Sequence, residues 1–128
     1  MDKAQRGKAG EDFACRVLSE NGYKIIERNH HSRYGEIDII AENDNALAFV
    51  EVKARKKSSK TMPREAVDIR KQRKIILTAM LYLQTHQAQK PPRFDVFEVW
   101  HTENGIFKFN HLENAFDLSA LGGEYELF

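Results

Sequence analysis

Asp38, Glu51 and Lys53 interrupt GEIDIIAENDNALAFVEVKAR, residues 35 to 55, a stretch that otherwise reads as a buried hairpin. Two acids and a lysine are the groups needed for metal-assisted hydrolysis of a phosphodiester. A hard divalent cation, Mg²⁺ or Mn²⁺, takes carboxylate oxygens and keeps several waters. The ion polarises the phosphoryl group and lowers the pKa of a bound water, while an ammonium stabilises charge that grows in the transition state or positions the nucleophile.

That chemistry requires the acids to converge, which is a question of register. If Asp44-Asn45 forms a two-residue type I′ turn, Asn43 faces Ala46 and Ile40 faces Phe49. Continued outward, the same register sets Asp38 opposite Glu51 at about 4.5–5.5 Å between Cβ atoms. It also sets Glu36 opposite Lys53 and turns Ile37, Ile39, Val50 and Val52 to the other face. Two facing carboxylates repel, and apolar strands around them lower the dielectric, so an empty pair calls for compensation. Lys53 shares the face of Glu51, about 6.6–6.8 Å along the strand. The plainer alternative is a surface salt-bridge network, because Asp followed at a distance by Glu-x-Lys is a weak signal alone.

The elements that must hold these groups are legible in the periodicity. Residues 4 to 20 have Phe13, Ala14, Val17 and Leu18 at helical spacing and stop at Asn21-Gly22. Strands are expected at 23 to 27, 35 to 41 and 47 to 53, with 28 to 34 a polar connection. SSKTMP is a basic linker, and Pro63 suits the first turn of a helix from 64 to 86 with a stripe of Ala66, Ile69, Ile76, Met80 and Leu83. Strands at 93 to 101 and 105 to 110 follow, joined by TENG. No pattern is evident from Leu112 onward. The expectation is one α/β domain over residues 1 to 116, a mixed central sheet flanked by helices, with 117 to 128 a partly ordered tail.

The chain has 128 residues and a net charge of +1, but the charge is segregated. Residues 53 to 74 hold ten Lys and Arg against Glu65 and Asp68, whereas from residue 91 onward Arg93 and Lys108 face seven acids. A localised basic segment attracts polyanions even in a near-neutral protein, although a solvated lysine-rich helix and loop would look the same. No stretch reaches the ~20 apolar residues of a membrane span, and the first residues, MDKAQRGKAGED, are not a secretory signal. A cytoplasmic location is expected. Cys15, the only cysteine, has no disulfide partner and reads as a packing residue.

Taken together, Gly7, Gly10 and Glu11, Ala14 and Leu18, Gly22-Tyr23, Arg28-Asn29, GEIDII at 35 to 40, FVEVKAR at 49 to 55, KQRKI at 71 to 75 and RFDV at 93 to 96 resemble the YraN family of small bacterial proteins. The match runs from about residue 7 to 98, and GEIDII and FVEVKAR carry most of its specificity. That family is similar to the PD-(D/E)xK, or restriction-endonuclease-like, nucleases and among them to archaeal Holliday-junction resolvases. The resemblance implies a restriction-endonuclease-like fold more strongly than any one substrate. It makes Asp38 and Glu51 the metal ligands, Lys53 the motif lysine, Glu11 an acid contributed from the first helix and Gln72 a polar residue near the site. Ile37-Asp38 stands where the motif's name has Pro-Asp, a proline that many members lack. Resolvase-like relatives act as dimers, so the resemblance allows a homodimer.

With a nuclease site between them, Arg28, Arg33, Arg55, Lys56, Lys57, Lys60, Lys71 and Lys74 become candidates for phosphate contact. Glu36 reads as the partner of Lys53 or as an acid supporting the site. His30 and His31 read as loop residues facing solvent or nucleic acid. Phe94, Phe97, Trp100 and Phe107 fall in strand alternation and read as core. The competing function is a nucleic-acid-binding or adaptor module that kept the fold without cutting; a third is a protein-interaction domain using the acidic C-terminal segment.

Overall fold

The first helix is capped by its own sequence. The Asp2 carboxylate accepts from the Gln5 N–H at 2.8 Å, and the Gln5 side chain accepts from the Asp2 N–H at 2.8 Å. Helix α1 runs Lys3–Glu20 and ends at Asn21-Gly22, where Gly22 takes a φ of 87°. Ala14 and Leu18 are buried on its inner side. Gly10 lies on that side too: a Cβ there would sit 2.9 Å from Val99 Cγ2 and 3.3 Å from the Ala54 Cβ, so its missing side chain lets the helix approach the sheet.

The computed structural model describes residues 1–57 and 67–122. Lys60, Pro63, Ala66 and residues 123–128 lie outside the described residues. Five strands, β1 Lys24–Ser32, β2 Gly35–Glu42, β3 Leu47–Lys56, β4 Pro92–Thr102 and β5 Gly105–Phe116, form one sheet in the order β1-β2-β3-β4-β5. β3 and β4 are parallel and the other neighbours antiparallel, which is the expected mixed sheet. Parallel neighbours cannot share a hairpin, so the chain leaves the sheet after β3 and returns through α2, Ile69–Thr85. α1 covers one face over Ile39, Ala41, Ala48, Val50, Phe97 and Val99. On the other face, α2 packs Ile75, Ile76, Ala79 and Tyr82 against Ile37, Ile40, Phe49, Phe94 and Val96.

Several boundaries differ from expectation, for physical reasons. β1 continues through Ser32 because residues 27 to 32 pair with Ile40 back to Gly35; its polar sequence suits an edge strand with a solvated face. His30 and His31 are therefore strand residues, held by Glu27 at 2.5 Å and Glu36 at 3.5 Å. The β2–β3 turn has the expected length, with the Asn43 N–H donating to the Ala46 carbonyl at 3.1 Å. It is not type I′, since Asn29 and Asn114 are the only non-glycine residues with positive φ among those described. The Asn43 side chain instead accepts from the Asn45 and Ala46 N–H groups, both at 2.9 Å.

α2 begins at Ile69, not 64, because Asp68 caps it by accepting from the Lys71 N–H at 2.9 Å. Ile69 is 50% exposed and lies off the apolar stripe, while Ile76 is buried and Met80 and Leu83 are partly so. β5 extends to Phe116, past the expected end at 110, because β4 is long enough to pair with it up to Phe94. A short 3₁₀ turn, Leu118–Leu121, then folds Ala120 and Leu121 into the α2-side core, where the Ala120 carbonyl accepts from Arg73 Nε at 2.7 Å. Phe94 and Phe97 are core, as expected, but Phe107 is 50% exposed on the outer edge strand, beneath the Lys57 ammonium at 5.6 Å.

Candidate metal and nucleic-acid site

The β2–β3 ladder stops at Ile39 and Val50, one pair short of the two acids. At that point the Asp38 side chain replaces a backbone acceptor, Oδ2 taking the Val52 N–H at 2.8 Å. On the other flank of β2, Arg28 and His30 pair with Ile39 and Ile37, and Asn29 between them takes a left-handed φ of 52°. The alternation breaks here: Ile39 packs under α1, but Ile37 joins the α2-side core, not the face it was expected to share with Ile39, Val50 and Val52. This irregularity brings a side chain from β2 and one from β3 to the same place.

Asp38 and Glu51 are 9% and 4% exposed, and each lies within electrostatic reach of the other. Burial raises both pKa values; Glu51, also facing the charge of Asp38, is pushed up to about 7 despite a lysine at its carboxylate. That lysine is Lys71, whose Nζ lies 2.5 Å from Glu51 Oε1. Lys53 is half-buried, and burial together with the charge of Lys71 lowers its pKa against the pull of Glu51. Two acids and two ammonium groups thus meet where β2, β3 and the first turn of α2 converge.

The remaining candidates fall into distinct positions. Glu11, on α1, feels the charge of Asp38, and burial first and then that charge raise its pKa; its carboxylate lies 3.7 Å from Arg28, whose charge opposes the rise. Among the described residues, no three His, Cys, Asp or Glu side chains group as they would around one ion, so Asp38 and Glu51 form a pair with Glu11 nearby. Gln72 is turned to local use, Nε2 donating to the Val67 carbonyl at 2.9 Å. Glu36 pairs with His31 across β1 and is not opposite Lys53, because the β2–β3 ladder has already ended.

Of the proposed phosphate contacts, Arg33, Lys56, Lys57 and Lys74 are exposed. Arg55, expected to contact phosphate, is instead 6% exposed and bound to Glu98 at 3.3 Å, because odd positions of β3 face inward beyond the acid pair as well. Arg28 is tied to Asp12 at 2.8 Å and to Glu11. Lys71 is the residue whose role the sequence concealed. By sequence it is one more cation of the basic segment, and only its contact with Glu51 across from α2 separates it from its neighbours. Lys74 and Arg70 line an open hollow beside it with Gly35, Glu36, Asp68 and Ile75.

Five strands in a mixed sheet between two helices, with the acid pair at the irregular end of its central hairpin, define a restriction-endonuclease-like α/β fold. Residues 10–99 match the uncharacterised protein family UPF0102, and the chain belongs to that family, the YraN family its motifs resemble. It is 45% identical over 114 residues to the UPF0102 protein of Persephonella marina, covering 88% of this chain and 94% of that one. It is 46% identical over 119 residues to the UPF0102 protein of Sulfurihydrogenibium sp., covering 92% and 99%. The UPF0102 protein of Bacteroides thetaiotaomicron is 41% identical over 110 residues, covering 86% and 90%. No helix among the described residues is long and apolar enough to cross a membrane.

Proposed function

We propose that this chain is a cytoplasmic Mg²⁺- or Mn²⁺-dependent endonuclease that hydrolyses phosphodiester bonds in DNA, structured or branched DNA in preference to a specific sequence, in repair or recombination. The observation that carries the reading is the buried Asp38–Glu51 pair, two carboxyl groups held against each other with raised pKa values inside a sheet. Such a pair suits a function better than a fold, because it costs stability wherever both groups are ionised. The donor set suits a hard cation that keeps most of its waters.

In this reading Asp38 and Glu51 hold the ion, with Glu11 as a further acid on its α1 side. The bound ion supplies a polarised phosphoryl group and an acidified water. Asp38 is oriented by the Val52 N–H at 2.8 Å, which leaves its other oxygen for the ion. Lys53 presents an ammonium on the face of Glu51, positioned to stabilise charge on the phosphate. Lys56, Lys57, Lys74 and Arg33 are exposed cations that a nucleic-acid backbone can reach. Because resolvase-like nucleases cut two strands as dimers, the reading includes a homodimer.

Branched, flapped and single-stranded DNA incubated with the protein and Mg²⁺ or Mn²⁺ tests this directly. Cleavage that falls at least about 100-fold in Asp38→Ala and in Lys53→Ala is expected. Cleavage of none of these substrates, or cleavage indifferent to both substitutions, refutes it. One observation favours a second reading, a nucleic-acid-binding module without catalysis: Lys71 already supplies Glu51 with a cation from within the chain. That module would keep its DNA affinity in Asp38→Ala and take up no divalent ion in calorimetry.

A further inference from the structure

Lys71 approaches the acid pair from solvent. Its own side chain is 46% exposed, while that of Glu51 is 4% exposed, and the two meet at 2.5 Å. Its backbone is fixed by the Asp68 cap at 2.9 Å, but the ammonium hangs on a four-carbon stem with the open hollow of Arg70 and Lys74 beside it. The lysine can therefore leave Glu51 without any movement of α2. Nothing similar holds for Arg55 at Glu98, where both side chains are buried.

We propose that Lys71 is the displaceable counter-ion of the acid pair, occupying the place of a divalent cation so that metal binding and the Lys71–Glu51 contact exclude each other. The proposal rests on the metal-site reading above and adds its regulation. An ammonium at hydrogen-bond distance from Glu51 Oε1 covers an oxygen that the cation needs, and a divalent ion there would repel it. Lys53 lies near enough to feel the charge of Lys71, so a second ammonium already stands close to the place the ion would take. With the ion bound, the freed ammonium turns into the hollow, where Glu36 and Asp68 supply negative charge. The cost of breaking the ion pair is subtracted from metal affinity, so the empty site stays closed at low metal concentration and opens as the concentration rises.

Calorimetric titration of the full chain with Mn²⁺ tests this in the wild type, Lys71→Gln, Lys71→Arg and Lys24→Gln. Removing a charge-assisted contact should tighten Mn²⁺ binding in Lys71→Gln on the order of tenfold. Lys71→Arg, which keeps the charge, and Lys24→Gln, which removes an exposed charge at the far end of β1, should stay within about twofold of wild type. Uptake of Mn²⁺ by Lys71→Gln alone would support the proposal equally. If the wild type binds Mn²⁺ and Lys71→Gln binds it no more tightly, the counter-ion role is wrong and the metal reading survives. If neither binds it, both fall. Thermal unfolding guards against a folding defect: Mn²⁺ should raise the melting temperature of Lys71→Gln by more than that of the wild type, and an equal or smaller rise counts against the role.

Discussion

Two of the acidic centres buried in the sheet, Asp95 and the Asp38–Glu51 pair, are built on opposite principles. Asp95, on β4, is 0% exposed and accepts from Arg93 Nε at 2.9 Å, an Arg93 terminal nitrogen at 2.8 Å, His111 Nε2 at 2.8 Å and the Asn114 N–H at 3.0 Å. Arg93 is itself held by the Tyr23 hydroxyl and, at 3.7 Å, by Glu113. Burial would raise the Asp95 pKa, but His111, Arg93 and the Asn114 N–H outweigh it and hold the carboxyl below its ordinary value. Asp38 and Glu51, on β2 and β3, are nearly as buried and have each other for company, one backbone N–H and one lysine. Their pKa values move up. The first centre is saturated and stabilises the fold as an anion; the second is under-satisfied, and ionisation works against it. A saturated buried acid is expected where structure is the purpose, and an under-satisfied one where a ligand completes the site.

Breaking the saturated centre should have the largest effect. Asp95→Ala leaves Arg93 and His111 facing an apolar gap and should destabilise the protein by about 3–5 kcal/mol, read from denaturant unfolding at neutral pH. An Asp95→Ala variant as stable as wild type would mean that the network contributes nothing.

The pH dependence sharpens the contrast, because the two centres have opposite signs. Asp95 has a folded pKa below its unfolded 3.8, so its contribution is present above that pH and is lost as the pH falls below it. Glu51 has a folded pKa of about 7 against 4.5, so between those values the folded state binds more protons than the unfolded one and stability falls as pH rises. Glu51→Gln removes that ionisation and should gain stability on the wild type by roughly 1–3 kcal/mol between pH 5 and pH 8. Unfolding curves at the two pH values check this. A difference between Glu51→Gln and wild type that does not change with pH would place the titration elsewhere.

The smallest effect concerns an acid that is paired but not buried. Asp12 accepts from Arg28 at 2.8 Å, and that hydrogen bond lowers its pKa, as pairing does for Asp95. Its side chain is half-exposed, so solvent screens the pair, and Asp12→Ala should cost no more than about 0.5 kcal/mol. A loss as large as that of Asp95→Ala would show that pairing, and not burial, separates the two classes.

Much of this is written in local sequence. The hairpin register that brings Asp38 toward Glu51 follows from period-two alternation and a two-residue loop, and the structure keeps both Ile40 opposite Phe49 and Asn43 bonded to Ala46. The start of α1, its end at Asn21-Gly22 and the presence of α2 follow from caps and apolar spacing. Strand lengths at the edges were harder to read. KIIERNHHS and the end of β5 have too few apolar residues to announce themselves, because an edge strand is held by backbone pairing and needs a buried side chain on only one face.

The sequence by itself determined which groups are present for chemistry, Asp38, Glu51 and Lys53 on one hairpin, and that an α/β domain would carry them. Tertiary structure decided how the remaining charges divide. Arg55 is buried on Glu98, Arg28 is tied to Asp12 and Gln72 is turned to Val67, while Lys71, one cation among ten between residues 53 and 74, is selected for Glu51. No local rule makes that selection, because it depends on how α2 lies against the β2–β3 hairpin. That is set by the packing of Ile75, Ile76 and Ala79 against Ile37 and Phe49. Side-chain type and spacing act along the chain, whereas a counter-ion is chosen across it, by whichever packed element brings a charge within reach.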